Sequence, residues 1–267
     1  MCRILAITGK QNNEFIETAL AQFGGLAETG TIPLGSTPGH KDGWGLVGYR
    51  NGAITAYERE PVSAASSPLF KTMLQQIAKM NPDITIGHLR KASPGMGSNL
   101  LQNTHPFTFQ NYSFCHNGTV RNFETIPLQS DSLKLRKGTT DSEWLFLKLI
   151  ELRNTQSSQT PIDATLSELL KEVRKLSYTA FNVIFSDGKK VVALREVNEK
   201  DSAVIDNNLC DNYYTLFLGT PKNGAPRVIC SEKLRLPSVQ WDTIKNHELI
   251  VLDAETPSTL RREIIKA

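Results

Sequence analysis

Cysteine is scarce in this chain: four among 267 residues, at positions 2, 115, 210 and 230, none of them in a CxxC pair. That argues against a disulfide-stapled scaffold, and in a reducing compartment it leaves the thiols free. The five histidines, His40, His88, His105, His116 and His247, show neither HExxH nor HxH spacing. Zinc is therefore disfavoured, and neither a metal nor a cofactor is expected. No apolar run approaches the roughly 18 residues needed to cross a bilayer. The apolar opening is soon broken by Gly9, Lys10 and Gln11, unlike a secretory signal. The expectation is a cytoplasmic protein with no membrane partner. A basic cluster is missing as well: 30 Lys and Arg stand against 27 Asp and Glu, scattered to a net charge of +3. Nucleic acid is not expected as a partner.

What is present is ordinary globular material, 39% hydrophobic and 21% charged. The length allows one large domain or two small ones. No internal repeat is visible, and the polar stretch NTQSSQTP at 154–161 reads as a connection between two helices, so one domain over 1–267 is expected. CRILAIT reads as a strand, and FIETALAQFGGLAE as a helix that Gly24-Gly25 ends or interrupts. Hairpins are expected around Asn51-Gly52, Asp187-Gly188 and Asn223-Gly224. LFKTMLQQIAKM reads as a helix, DITIGHLRKA as a strand, and YSFCHNGTV as a short strand ending in a glycine turn. DSEWLFLKLIELRN reads as an amphipathic helix with Asp141 or Ser142 as its N-cap, followed by a second helix in DATLSELLKEVRKL. Hairpins alternating with paired helices predict an α+β fold of antiparallel sheet covered by helices.

The opening MCRILAIT places a cysteine second. On position alone Cys2 is a small apolar residue at the start of a buried strand. Removal of Met1 would instead leave a thiol and a free α-amino group on one residue. Four segments are dense in functional side chains: DGWG (42–45), GHLRKAS (87–93), NTHPF (103–107) and CHNG (115–118). TTDSE (139–143) opens a helix. Each has an ordinary explanation: a turn with a packed indole, a solvated arginine, an Asn-Gly turn, a helix cap.

Together, in this order, they resemble the class-II glutamine amidotransferases, which are N-terminal nucleophile hydrolases. In particular the chain is similar to the standalone YafJ-type members, which lack a fused synthase domain. The resembling residues are Cys2-Arg3, Gly87 to Ser93, Asn103 to Phe107, His116 to Gly118 and Thr140 to Glu143. The VICSEKL strand and the Trp241 that follows resemble the family's C-terminal portion. The resemblance implies a four-layer αββα sandwich of Ntn-hydrolase type, in which two antiparallel sheets pack face to face under outer helices. It also implies cleavage of a γ-glutamyl amide bond through a Cys2 thioester, releasing glutamate and ammonia or an amine.

The residue types suit that chemistry. An α-amine titrates near about 7.7–8.0 and a free thiol near about 8.5, so the amine can accept the thiol proton and return it to the leaving group. No Cys/His dyad is required. The Asn117 side-chain amide and the Gly118 backbone N–H suit an oxyanion site. By resemblance, Arg90 clamps the substrate α-carboxylate and Asp141 its α-ammonium, while Ser93, His105 and Trp44 shape the substrate pocket. His88 and His116 read as supporting or core residues. Synthase-coupled members of that family usually have an aromatic residue after the clamp arginine; here it is Lys91. Nothing after about residue 250 resembles a synthase domain. Open alternatives are a glutaminase subunit feeding ammonia to a separate synthase subunit, and a non-catalytic γ-glutamyl-binding subunit.

Overall fold

The computed structural model describes residues 2–9, 12–33, 39–92, 100–222, 224–256 and 260–266. The first half runs β1 (Arg3–Thr8), α1 (Asn13–Thr29), β2 (Gly43–Arg50), β3 (Ala53–Glu60), α2 (Pro68–Met80), β4 (Ile84–Arg90), β5 (Phe107–Phe109) and β6 (Tyr112–Val120). Helices α3 (Ser130–Leu135), α4 (Asp141–Thr155) and α5 (Ile162–Val173) follow, then β7 (Tyr178–Ser186) and β8 (Lys190–Arg195). The chain continues through α6 (Ser202–Asp206), α7 (Leu209–Asn212), β9 (Leu216–Pro221), β10 (Arg227–Cys230), β11 (Val239–Ile244), β12 (Glu248–Asp253) and β13 (Leu260–Ile264).

Local turn chemistry sets the strand pairing. Asn51 and Gly52 take φ of 52° and 77°, the left-handed pair that suits a two-residue turn between twisted strands, and they close the β2–β3 hairpin. Gly188 at φ 88° does the same between β7 and β8. The β9–β10 hairpin also forms; of its turn pair, Gly224 has φ 82° and Asn223 lies outside the described residues. Two sheets result, antiparallel throughout the described pairings. One has seven strands in the order β11-β9-β10-β1-β4-β2-β3, the other six in the order β13-β12-β8-β7-β6-β5.

Strand alternation divides most apolar side chains among three layers of core, and a fourth, smaller cluster gathers Ala180, Val197, Val204, Leu209, Tyr213 and Tyr214. Leu5 and Ile7 of β1, Trp44 and Leu46 of β2 and Leu89 of β4 meet Phe23 of α1 and Phe70 of α2. Ile4, Ala6, Val47, Ile86, Cys115 and Ile184 fill the space between the sheets. Phe114, Val183 and Phe185 face Leu149 of α4 and Leu166 of α5. The architecture is the expected α+β sandwich in four layers: helices, sheet, sheet, helices.

Three local expectations are corrected. Helix α1 runs unbroken through Gly24-Gly25 to Thr29, because Gly24 is where α2 comes closest: a Cβ there would lie 2.4 Å from Cε1 of Phe70. The N-cap of α4 is Thr140, whose side chain accepts from the Glu143 N–H at 3.2 Å, so Asp141 is the first helical residue. β6 does not end in a turn at Gly118. It continues to Val120 past an irregularity in its pairing with β7.

Candidate active site

β1 lies in the middle of its sheet, and Cys2 immediately precedes it on the face of Ile4 and Ala6, between the sheets. In the facing sheet, Asn117 of β6 follows Cys115 on the inward side. The two meet: the Cys2 backbone N–H donates to Asn117 Oδ1 at 3.0 Å. Asn117 is fully buried, and its Nδ2 finds no hydrogen-bond partner among the described residues. A buried amide donor left unpaired is costly in a folded protein, and this one sits beside a thiol. The Cys2 Sγ lies 3.8 Å from the Lys91 carbonyl oxygen.

Gly118 must be glycine. Its φ is 155°, and a Cβ would fall 1.8 Å from the Ala180 carbonyl oxygen. Arg90 ends β4 on the inward face shared by Ile84, Ile86 and His88. It is 4% exposed; burial pushes its guanidinium down from the ordinary value, and Cys2 and Asp42 oppose that shift. Its Nη1 reaches the Asp42 carbonyl at 3.5 Å, while the Asp42 carboxylate accepts from the Ala92 N–H at 2.8 Å.

Asp141 is brought in by α4. Its Oδ2 accepts from the Val120 N–H at 2.7 Å and its Oδ1 from the Ser142 N–H at 2.8 Å. A helix N-terminus favours a carboxylate at that place. The turn before it is pinned from both sides. Glu143 accepts from the N–H groups of Lys137 (2.9 Å) and Gly138 (2.6 Å). Asn103 accepts from the Thr139 N–H at 2.9 Å and donates to its hydroxyl at 3.1 Å. The supporting roles of Asn103 and Glu143 were not read from the sequence. The Thr140-to-Glu143 spacing of a capping box was the available signal, although Glu143 reaches past the cap to Lys137 and Gly138.

His105 stacks on His88 with ring centroids 4.2 Å apart, and none of the four ring nitrogens has a hydrogen-bond partner among the described residues. Burial, then Arg90, pushes His88 well below the usual histidine range; burial, then His88, does the same to His105. Both are neutral at pH 7. His116 is pushed down by burial, with Asp141 and the Ala180 carbonyl opposing. The Ala180 carbonyl accepts from its Nε2 N–H at 3.2 Å, and its Nδ1 lies 2.9 Å from the Ser142 hydroxyl, which also donates to Asp141 Oδ1 at 3.2 Å.

A cavity of about 260 Å³ is lined by Cys2, Arg90, His105, Gly118, Val120 and Asp141, among others. That is smaller than the roughly 300–1,000 Å³ of drug-sized sites and fits an amino-acid-sized ligand. Cys2, Asn117, Gly118, Arg90, Asp141 and His105 thus come together from separate parts of the chain. Trp44 does not join them. It points into the helix-covered core, edge-on to Phe70 at 5.1 Å, with its Nε1 donating to Glu60 at 3.1 Å. The phase of β2 decides this: Gly43 and Gly45 take the inner face, where the His105 carbonyl would lie 2.2 Å from a Cβ on Gly45. Ser93 lies outside the described residues. Among the described residues no group of three or more His, Cys, Asp or Glu could hold a metal ion, and no helix is long and apolar enough to cross a membrane.

The sequence profile of the class-II glutamine amidotransferases matches residues 1–263. The chain belongs to the class-II glutamine amidotransferases. Within that family it is 30% identical to YafJ of Escherichia coli over 74% of each chain, a protein described only provisionally as a glutamine amidotransferase. It is 28% identical to an uncharacterized protein of Methanocaldococcus jannaschii, over 94% of this chain and 69% of the relative. Among solved structures, the fold matches a class-II domain protein of Silicibacter pomeroyi along the full length of both chains (TM-score 0.61, 17% identity). It also matches the glutamine phosphoribosylpyrophosphate amidotransferase of Bacillus subtilis (TM-score 0.64, 14% identity), over 98% of this chain and 49% of that enzyme. Both solved structures thus share the fold described above.

Proposed function

We propose that this amidotransferase-family protein, acting as one domain, hydrolyses a γ-glutamyl amide bond of glutamine or a γ-glutamyl compound through a thioester on Cys2. The observation that carries the reading is the Cys2–Asn117 pair: a thiol-bearing residue whose nitrogen is held at 3.0 Å by an amide whose other end is a buried, unpaired donor. Once Met1 is removed, the Cys2 nitrogen is an α-amine. It takes the thiol proton, directly or through a water, and Sγ attacks the substrate Cδ carbonyl. Asn117 Nδ2 and the Gly118 N–H stabilise the oxyanion, an interaction worth roughly 3–4 kcal/mol of barrier per donor. The protonated amine then supplies the proton that the departing ammonia or amine needs. Water hydrolyses the thioester by the same route in reverse, releasing glutamate.

Arg90 and Asp141 stand in the same cavity and carry opposite charges, the complement of an α-amino acid head group. Neutral His105 forms part of the wall. Family membership supports amidotransferase chemistry in general.

The test is to incubate untagged protein with a glutamine-mimicking electrophile, weigh it intact and map the adduct. A des-Met protein carrying one adduct on Cys2 is the expected result. Retained Met1, or a des-Met protein that stays unlabelled, overturns the mechanism, as does full activity in a protein with residues fused ahead of Cys2.

A further inference from the structure

The residue after the nucleophile is an unusual one to bury. Alternation along β1 that turns Cys2 inward turns Arg3 to the opposite face of the sheet, and there Arg3 is 1% exposed. A buried guanidinium is costly unless paired and hydrogen-bonded, and this one is held on every side. Its Nε donates to Glu232 Oε2 at 2.9 Å, its Nη1 to the Tyr213 carbonyl at 3.4 Å, and its Nη2 to the Thr31 carbonyl. Its Cζ lies 4.5 Å from the centroid of the Tyr213 ring, within cation–π range. Glu232 Oε2 also accepts from the Thr31 N–H at 2.8 Å, so carboxylate, guanidinium and the Thr31 backbone form a closed set.

The set reaches Cys2 through Tyr213, whose hydroxyl donates to the Cys2 carbonyl at 3.5 Å. Burial holds that hydroxyl well above its ordinary pKa, so it stays a donor. Cys2 is therefore held at its nitrogen by Asn117 from the facing sheet and at its carbonyl by Tyr213. This matters because a residue at a chain terminus has a single peptide bond to restrain it, and strand ends fray. A nucleophile in that place depends on the next residue for its position.

We propose that Arg3 is a positioning residue for the nucleophile: with Tyr213, Thr31 and Glu232 it fixes the backbone of the terminal Cys2, so that thiol and α-amine face Asn117 and the cavity. The proposal rests on the reading of Cys2 as nucleophile given above. Arginine suits the role because its planar fork serves one carboxylate and two carbonyls while stacking on a ring; a lysine could pair with Glu232 but not do the rest. Arg3 touches no substrate. Its effect is exerted through Cys2.

The experiment compares des-Met wild type with Arg3→Lys, which keeps the charge, and Tyr213→Phe, which keeps the ring and removes only the hydroxyl. Three quantities are read: the pH profile of Cys2 alkylation by iodoacetamide, mapped by peptide mass; kcat and KM for glutamine or γ-glutamyl amide hydrolysis; and the melting temperature. In folded variants KM is expected within about twofold of wild type, since Arg90 and Asp141 are untouched. A nucleophile misplaced by about 1 Å costs up to roughly 100-fold; kcat is expected to fall by at least tenfold in Arg3→Lys and by less in Tyr213→Phe. The alkylation profile is expected to shift in both. Folded variants with a wild-type profile and kcat overturn the proposal. So does a loss of melting temperature in Arg3→Lys while Tyr213→Phe is silent, which would make Arg3 a core ion pair only. A shifted profile in a protein that hydrolyses no γ-glutamyl amide leaves the positioning role standing and removes the functional reading instead.

Discussion

Asn117 is the residue on which two jobs converge, because its Oδ1 holds the Cys2 nitrogen at 3.0 Å while its Nδ2 stays buried and unpaired. Replacing it with alanine removes both. On the proposed mechanism, Asn117→Ala lowers kcat by roughly 100- to 1,000-fold, the usual cost of an oxyanion donor, with a much smaller change in KM, because Arg90 and Asp141, the proposed head-group residues, remain. Steady-state kinetics on glutamine check this; a rise in KM at unchanged kcat would move Asn117 from the reaction to substrate grip. At this scale the meeting of Cys2, Arg90, Asn117, Gly118 and Asp141 was anticipated by the family resemblance of five segments taken in order, since each segment alone has an ordinary explanation. Trp44 was misread for a reason that short patterns cannot express: which way its side chain points depends on the phase of β2, and the inner face there belongs to Gly43 and Gly45. Tyr213 and Glu232 were invisible as companions of Arg3, being more than 200 positions away in the chain.

Among the elements, α1 carries its own controlled comparison in two adjacent glycines. A Cβ on Gly24 would meet Phe70 at 2.4 Å, whereas one on Gly25 meets nothing within 4 Å. Alanine at either position gains up to about 1 kcal/mol of helix propensity. At Gly24 that gain is opposed by overpacking against a buried ring, a cost of about 1–3 kcal/mol. Gly25→Ala is therefore expected to raise the melting temperature and Gly24→Ala to lower it. Thermal unfolding of the two single variants checks the sign, and equal stabilisation by both would mean that the α1–α2 contact yields freely. The same pair shows where reading elements from sequence fails. Asn51, Gly52, Gly188 and Gly224 act through their own dihedrals, and hairpins were found after β2, β7 and β9. Gly24 acts through a partner on another helix, so its neighbours in the chain suggested a break where the structure has a close crossing. Cap placement failed by one residue for a related reason: Asp141 is occupied by Val120 of the facing strand, and Thr140 takes the capping bond.

Over the whole molecule, the antiparallel hairpins and paired helices were enough to anticipate layered α+β structure, and the family resemblance supplied the count of four layers. In the sequence His88 and His116 read as supporting or core residues and His105 as part of the pocket; what neither source supplied is how these buried rings make stability depend on pH. His88, His105 and His116 are at most 4% exposed, and burial leads the depression of all three below the ordinary histidine range. In the unfolded chain each protonates near about pH 6.5; in the folded protein each stays neutral to lower pH. Below about pH 6.5 unfolding therefore takes up protons, and stability falls as pH falls, by up to roughly 1.4 kcal/mol per pH unit per histidine. Above that pH the three contribute no slope. Glu196 adds a second acid edge of the same sign. Burial raises its pKa, but bonds from Arg174, His247 and Tyr178 outweigh this and hold it below the usual carboxylate value. Its contribution is complete above about pH 4.5 and is lost as pH drops through the lowered folded value. Urea unfolding between pH 8 and pH 5 is expected to show the histidine edge directly. His88→Leu should remove one proton from the uptake per molecule. It should also leave stability at pH 7.5 at or above wild type, because replacing two unpartnered ring nitrogens with an apolar side chain removes a desolvation cost without breaking a hydrogen bond. An unchanged slope in that variant would mean that His88 is protonated in the folded protein, against the burial and the stacking on His105 seen here.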